Sequence, residues 1–394
     1  MFGERTWDFR LKMPNEWWCA RLRHTKEPIH VQARGSRIRF GKVACLLAAA
    51  LVASLTQALH GEAADDLAAT VPLIKLEYPG NPPNIRMLYI RLLALGNHKV
   101  DQPLLFDTGS AGITVDCHAV LPADLCSDKG IKIEKNLELD GMTVTTQRAV
   151  MNYGTYDEYG NIAVARVTIG SRERPVSTAE AIPVLIRYKK VRRSTGEIVG
   201  GPLWPKGIFG VSPIGGGGPR QTIRSPMHSI QPANGLRRGY HISPIGTDWT
   251  TCTNELGNCP VVEALHIGIS ESLKAEFKTA KWEQAKANYN FPTVDACIAW
   301  DADPVCRPTL YDTGNSTIVI GGKKRKNADT SLAVGVEVTL TTPNHDAWRF
   351  TTQYKPEVEF VPQIDHHIVG IRYFETNSLL FDLEAEEIGF QIGN

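Results

Sequence analysis

The tripeptide Asp-Thr-Gly occurs twice in this chain in matched surroundings. Leu104-Leu105-Phe106-Asp107-Thr108-Gly109-Ser110 has a counterpart in Thr309-Leu310-Tyr311-Asp312-Thr313-Gly314-Asn315-Ser316. In each copy an apolar run leads into the aspartate, and an apolar-apolar-Gly sequence follows downstream. Such a loop presents one carboxylate at the end of a strand. Its glycine lets the backbone turn where a side chain would clash, and its threonine hydroxyl can bond across to a matching loop. Two loops of this kind meeting face to face would bring Asp107 and Asp312 within hydrogen-bonding reach. Carboxylates that close cannot both ionise freely, so they share one proton over a wide range of pH. A pair in that state can activate water with one oxygen and protonate with another. A single Asp-Thr-Gly is no more than a polar turn, since all three residue types are common in turns. Two copies, each behind an apolar strand, call for more than that.

The elements that must hold these loops read as short strands. Between Ile85 and Ile169 the runs MLYIRLLAL, VDQPLLF and AVARVTI are punctuated by turn signals such as Gly96-Asn97 and Gly170. From Leu310 to the C-terminus TIVI, VGVEVTL, VEFV, LLFDL and IGFQI repeat the pattern. Pro213–Pro219, with four successive glycines, reads as an exposed loop between the two regions. Ser270–Ala287 places Leu273, Phe277 and Ala280 at helical spacing and predicts a surface helix. The clusters Lys189-Lys190, Arg192-Arg193 and Lys323–Lys326 read as solvated loops.

Composition sets the outer bounds. The 394 residues, 42% hydrophobic and 22% charged, are enough for a large core and exclude disorder as the main state. Lys+Arg at 43 against Asp+Glu at 42 leaves no broad positive surface, so no nucleic-acid partner is expected. The balance is uneven: residues 1–42 carry ten basic and four acidic side chains, while the chain from residue 64 carries 33 and 37. After Arg37, Arg39 and Lys42 comes the apolar run Val43–Leu55, signal-peptide length and too short for an ordinary membrane span. Small residues at Thr56-Gln57-Ala58 and Gly61-Glu62-Ala63 would allow cleavage and a mature start near 59–65. Export, secreted or periplasmic, is the expectation; a membrane contact is expected only if the leader is retained as an anchor.

Six cysteines beyond the leader form three close pairs, Cys117/Cys126, Cys252/Cys259 and Cys297/Cys306. In an exported chain these favour disulfides. No pair is a C-x-x-C and no histidine sits beside one at zinc-ligand spacing, so no metal is expected. The doublet His366-His367 reads as strand or loop surface.

Over most of residues 85–394 the sequence resembles the pepsin-like aspartic peptidases. MLYIRLLALGNHKVDQPLLFDTGS is similar to that family's opening hairpin and first catalytic loop. Met151-Asn152-Tyr153-Gly154-Thr155 resembles its flap hairpin, whose tyrosine closes over substrate, and implies Tyr153, Gly154 and Thr155 as flap residues. Gly207-Ile208-Phe209-Gly210 and Ile368-Val369-Gly370 resemble the strands that thread its two ψ-shaped loops. The tail IVGIRYFETNSLLFDLEAEEIGFQI resembles the terminal segment, and Cys297/Cys306 stands where the family has a disulfide. Two departures stand out: Thr114 replaces the tryptophan that supports the flap tyrosine, and Asn315 stands where Thr or Ser is usual. The segment after Asp312 is also short for such a second lobe.

The resemblance implies an all-β, bilobal acid-protease fold with the active site between the lobes. It divides the chain into a leader over 1–63, an N-terminal lobe over 64–245 and a C-terminal lobe over 246–394. It implies a monomeric endopeptidase that acts on polypeptide without a cofactor. Asp107 and Asp312 would activate water, Ser110 and Ser316 would bond their outer oxygens, and Thr108 and Thr313, beside Gly109 and Gly314, would link the loops. The alternative is a catalytically silent relative that binds peptide, glycan or protein in the same cleft. Asn315-Ser316-Thr317 fits the N-glycosylation pattern, and its place inside a catalytic loop argues against modification and for a bacterial origin.

Overall fold

The strands that the sequence announces are present and carry nearly the whole structure. The computed structural model describes residues 69–78, 85–199, 206–214, 223–251, 259–284, 291–301, 303–322 and 330–393. All of these belong to one compact unit, Ala58–Asn394. The leader, including Val43–Leu55, lies outside the described residues, as do the glycine run and Lys323–Lys326. Among the described residues two large sheets dominate, one of sixteen strands and one of eight. Val, Ile, Thr and aromatic residues fill the strands because branched and flat side chains suit a pleated, half-buried surface.

The larger sheet runs from a hairpin-rich edge, where Met142–Tyr153 pairs with Tyr156–Ala165, through Ile182–Arg192 and Ala111–Asp116 to the first Asp-Thr-Gly strand His98–Asp107. It continues through Ile85–Leu95, Ala69–Tyr78, Val261–Ile269 and Arg237–Ile242 into the C-terminal strands Ser378–Asp382 and Glu387–Gln391. The smaller sheet carries the second motif on Val305–Tyr311, flanked by Pro292–Ala299 and His367–Val369.

Each motif strand is threaded in the same way. Gly207–Val211 runs parallel to His98–Asp107 and antiparallel to Ala111–Asp116, which places Gly210 opposite Asp107. His367–Val369 runs parallel to Val305–Tyr311 and touches Ile318–Gly321 antiparallel, which places Val369 opposite Tyr311. A Cβ on Gly210 would lie 2.7 Å from the Ser110 carbonyl oxygen, and one on Gly370 would lie 2.5 Å from that of Asn315. Only glycine lets these threading strands approach the two Asp-Thr-Gly loops so closely. Beneath them the core is aromatic: the Tyr311 ring lies 4.9 Å from Tyr373 and 5.2 Å from Phe390, and Tyr240 stacks on Phe381 at 4.9 Å.

Two of the expected disulfides form, Cys117–Cys126 with Cα atoms 5.9 Å apart and Cys297–Cys306 with Cα atoms 4.0 Å apart. The second links directly paired residues of adjacent strands. The third expected pair, Cys252/Cys259, falls only partly on the described residues. Cys259 is disulfide-bonded and buried, packed with Ile74, Leu76 and Tyr89. Cys252 lies outside the described residues, so the pairing of Cys259 with it stays a reading of the sequence.

Three local expectations fail. The helix read over Ser270–Ala287 stops after Glu271–Ala275, and Lys278–Lys281 is instead a strand on Glu387–Gln391. Phe277 packs with Ile269 and Leu380, and the open edge of the terminal hairpin offers backbone bonds that outweigh local periodicity. The doublet His366-His367 is buried rather than superficial. His367 Nε2 bonds the Val305 carbonyl at 3.0 Å, and its Nδ1 accepts from the Gly321 amide at 3.2 Å, so the ring ties the second threading strand to both neighbours. Lys189-Lys190 and Arg192 belong to the strand Ile182–Arg192 rather than to a loop, with both lysines above tyrosine rings.

Candidate active site

Asp107 ends its strand and Asp312 follows directly on the matching strand, and the two loops meet. A Cβ on Gly109 would fall 2.5 Å from Asp312 Cγ, and one on Gly314 would fall 2.7 Å from Asp107 Cγ. Each glycine is therefore the gap through which the opposite carboxyl group reaches its partner. Each aspartate also accepts from the amide of its own loop glycine, Gly109 to Asp107 Oδ1 at 2.8 Å and Gly314 to Asp312 Oδ1 at 2.8 Å.

The threonines cross as expected, through four reciprocal bonds. The Thr108 amide donates to Thr313 Oγ1 at 3.1 Å, and the Thr313 amide donates to Thr108 Oγ1 at 3.0 Å. Thr108 Oγ1 donates to the Tyr311 carbonyl at 2.7 Å, and Thr313 Oγ1 to the Phe106 carbonyl at 2.8 Å. Both threonines are fully buried, where an unmade bond is costly and a made one fixes position.

The outer oxygens are treated unequally. Ser110 Oγ donates to Asp107 Oδ2 at 2.5 Å. The residue in the same place beside Asp312 is Asn315, whose Oδ1 turns away to accept from the amide and hydroxyl of Thr317 at 3.2 and 3.3 Å. Ser316 makes no hydrogen bond to Asp312, which corrects the role read for it from sequence; its carbonyl instead accepts from Tyr354. Asp312 as a residue is half-buried, but its carboxyl group is the enclosed part. Burial, the negative charge of Asp107 and a hydrogen bond to that carboxyl push the Asp312 pKa well above the ordinary carboxylate range, against the pull of the Gly314 and Gly109 amides.

Tyr153 closes the hairpin formed by Met142–Tyr153 and Tyr156–Ala165, pairing with Tyr156 across an exposed Gly154-Thr155 turn. Its ring packs with Met151, Ile162, Leu185 and Ile223. Burial raises the phenol pKa far above its usual value, and the charges of Glu158 and Asp107 add to the rise. Its hydroxyl is enclosed and makes no hydrogen bond.

Sequence reading missed what lies under this hairpin. Glu158, Arg187 and Asp116 are buried together. Arg187 pairs with Glu158 and, at 3.6 Å, with Asp116, while Lys190 lies 3.8 Å from Glu158. Thr114 Oγ1 donates to Glu158 Oε2 at 2.8 Å and accepts from the Ile208 amide at 3.2 Å. The signal was a lone arginine after the apolar run Ile182-Pro183-Val184-Leu185-Ile186, since a charge in a buried strand requires a partner. Two surface cavities lie elsewhere. One of 660 Å³ is lined by Arg148, Tyr159, Tyr188 and Lys189, another of 670 Å³ by Arg86, Trp348 and Arg372, and neither includes Asp107 or Asp312.

No family model matches the sequence. No curated protein matches it either. In structure, the chain is similar to an aspartic proteinase from Irpex lacteus, with a TM-score of 0.51 at 12% identity over 83% of this chain and 98% of that one. Its fold is the bilobal, pepsin-like one. A second likeness is to basic 7S globulin from soybean, with a TM-score of 0.49 at 12% identity over 82% of this chain and 96% of that one.

Proposed function

We propose that the chain is an exported aspartic endopeptidase that hydrolyses peptide bonds between Asp107 and Asp312. The observation that carries the reading is the reciprocal enclosure of the two carboxyl groups, each reaching the glycine of the opposite loop while crossed threonines hold the loops together. A proton held by the pair leaves one carboxylate to accept a proton from water while the other carboxyl protonates the scissile carbonyl oxygen. The titration belongs to the pair, so the two roles are not divided between named residues. Tyr153, Gly154 and Thr155 would cover the bound polypeptide. The chemistry asks for no cofactor or metal, and a single chain supplies both aspartates. The disulfides Cys117–Cys126 and Cys297–Cys306 favour an oxidising compartment, secreted or periplasmic.

A second reading, a pepsin-like cleft that binds peptide, glycan or protein without cutting, draws on one feature, the missing hydroxyl donor at Asn315. Peptide-library digestion from pH 3 to 8 by wild type, Asp107→Asn and Asp312→Asn separates the two. The endopeptidase gives a bell-shaped profile with an acid optimum, and each amide variant loses about 10³-fold or more in kcat/KM. A group whose folded pKa is raised stabilises the fold at low pH and loses that contribution as pH rises through it. Asp312→Asn removes this loss, so its melting temperature near neutral pH equals or exceeds that of wild type. Cleavage that persists in either variant eliminates the dyad, and a folded wild type that cuts nothing favours the silent cleft.

A further inference from the structure

The two lobes are built on matching ladders, and the match breaks at one residue. In the first lobe Leu105, Ile208, Thr114 and Leu185 stand side by side across four strands. In the second, Leu310, Ile368, Val319 and Glu359 stand side by side in the same way. The correspondence is positional: Leu105 and Leu310 lie two residues before their aspartates, and Thr114 and Val319 lie seven residues after them. Residues paired across neighbouring strands share a face of the sheet, so each row lies on one face. The opposite face is core in both lobes, with Phe106, Ile113 and Phe209 in one and Tyr311, Ile320 and Val369 in the other.

The first-lobe row ends in an apolar side chain, Leu185, fully buried and packed with Met151, Tyr153 and Ile223. In the corresponding place the second lobe has Glu359, half-buried and ionisable. Among the described residues no apolar cluster includes its row. Glu357, two residues earlier on the same face, is paired with Arg372. Glu359 has no cationic partner among the described residues, and burial raises its carboxyl pKa above the ordinary range. A shielded carboxylate that lacks a cation, beside the apolar side chains of Ile368 and Val319, suits a long side chain with an apolar stem and a cationic head. Glu359 lies three strand spacings from Leu310, roughly 14 Å. An extended polypeptide crosses that span in about four residues.

We propose that Glu359 is a specificity-determining residue: it makes the second-lobe half of the cleft select a lysine or arginine side chain within about four residues of the scissile bond. The stem of that side chain lies over Ile368 and Val319, and its ammonium or guanidinium group donates to the Glu359 carboxylate. The inference rests on reading the space between Asp107 and Asp312 as the polypeptide site, and its test separates the two.

The test uses synthetic peptide libraries with one position fixed as Lys, Arg, norleucine or Glu and all others mixed. Each is titrated at pH 7 against the full chain carrying Asp312→Asn, which leaves the cleft in place without cutting, and against the same chain with Glu359→Gln or Glu359→Lys added. Asp312→Asn should bind the Lys and Arg libraries about 10-fold more tightly than the norleucine library, the effect of one charge-assisted bond at a half-buried site. Glu359→Gln should level that series, and Glu359→Lys should turn it toward Glu; if the lysine variant does not fold, the glutamine variant decides alone. Digestion of the same libraries by wild type, followed by sequencing of the products, should place the fixed cation at one position relative to the cut. A Lys-to-norleucine ratio that is the same with and without the Glu359 carboxylate overturns the inference, whether or not the wild type cuts. Cleavage with such an unchanged ratio leaves the endopeptidase standing. A ratio that depends on Glu359 in a protein whose wild type cuts nothing supports the inference and refutes the endopeptidase.

Discussion

Ser110 and Asn315 occupy equivalent places, yet only one serves its aspartate. A hydroxyl bond to an ionised carboxylate stabilises the charged form and lowers its pKa, and Asp312 has none. Asn315→Ser would supply it. Because a charge-assisted bond is worth about 1.5–3 kcal/mol and one pKa unit about 1.4, the basic limb of the pH–rate profile should move acidward by roughly one unit or more. A pH series on purified N315S checks this, and a limb that stays in place means that the new hydroxyl points elsewhere. The aspartates and threonines were legible in sequence because each lies at a fixed offset within a repeated tripeptide. Ser316 was misread because residue type was given more weight than place: the donor must directly follow the glycine, and there the chain has Asn315. Glu158 was illegible for a different reason. Its partners Arg187 and Thr114 are far away in sequence and meet it only when three strands are laid side by side.

At the scale of elements, the hairpin ending in Tyr153 and the cross-strand disulfide each carry a prediction. Tyr153→Ala removes the ring from its cluster with Met151, Ile162, Leu185 and Ile223, so kcat/KM for peptides should fall by roughly 10-fold or more while the melting temperature changes little, since the ring is only partly buried. Comparing steady-state kinetics with thermal melts decides this, and unchanged kinetics would make Tyr153 an ordinary strand residue. The Cys297–Cys306 bond closes a short loop in the strand pair that leads to Asp312. Replacing both by serine should cost about 2–3 kcal/mol, read from urea midpoints. Strands with alternating or continuous apolar character were legible, and so were the turn glycines. The helix over Ser270–Ala287 was not, because Lys278–Lys281 is made a strand by an edge formed more than a hundred residues later.

Across the whole molecule, two histidines shielded from water set a lower limit on useful pH. His241 is held to a pKa of about 4 by burial and by the His266 ring stacked on it at 4.3 Å. His367 is held to about 4 by burial, with Arg307 and His366 adding. A histidine kept neutral in the fold takes up its proton more readily when unfolded, so stability is complete above about pH 6.5 and falls toward pH 4. Each of the two accounts for a loss on the order of 3 kcal/mol. Urea midpoints at pH 7, 5.5 and 4 should decline, and His241→Phe should flatten the decline; a flat wild-type series would refute this. The same molecule is also ordered in time by the crossed threonines. Thr108 and Thr313 complete each other's bonds across 205 positions of sequence. During synthesis the first loop emerges long before its acceptors exist, and a contact so distant along the chain carries a large closure cost and comes late in folding. Until Thr313 has left the ribosome, Asp107 has no partner carboxyl and its loop no brace. On the endopeptidase reading, the chain is thereby inert through most of its own manufacture.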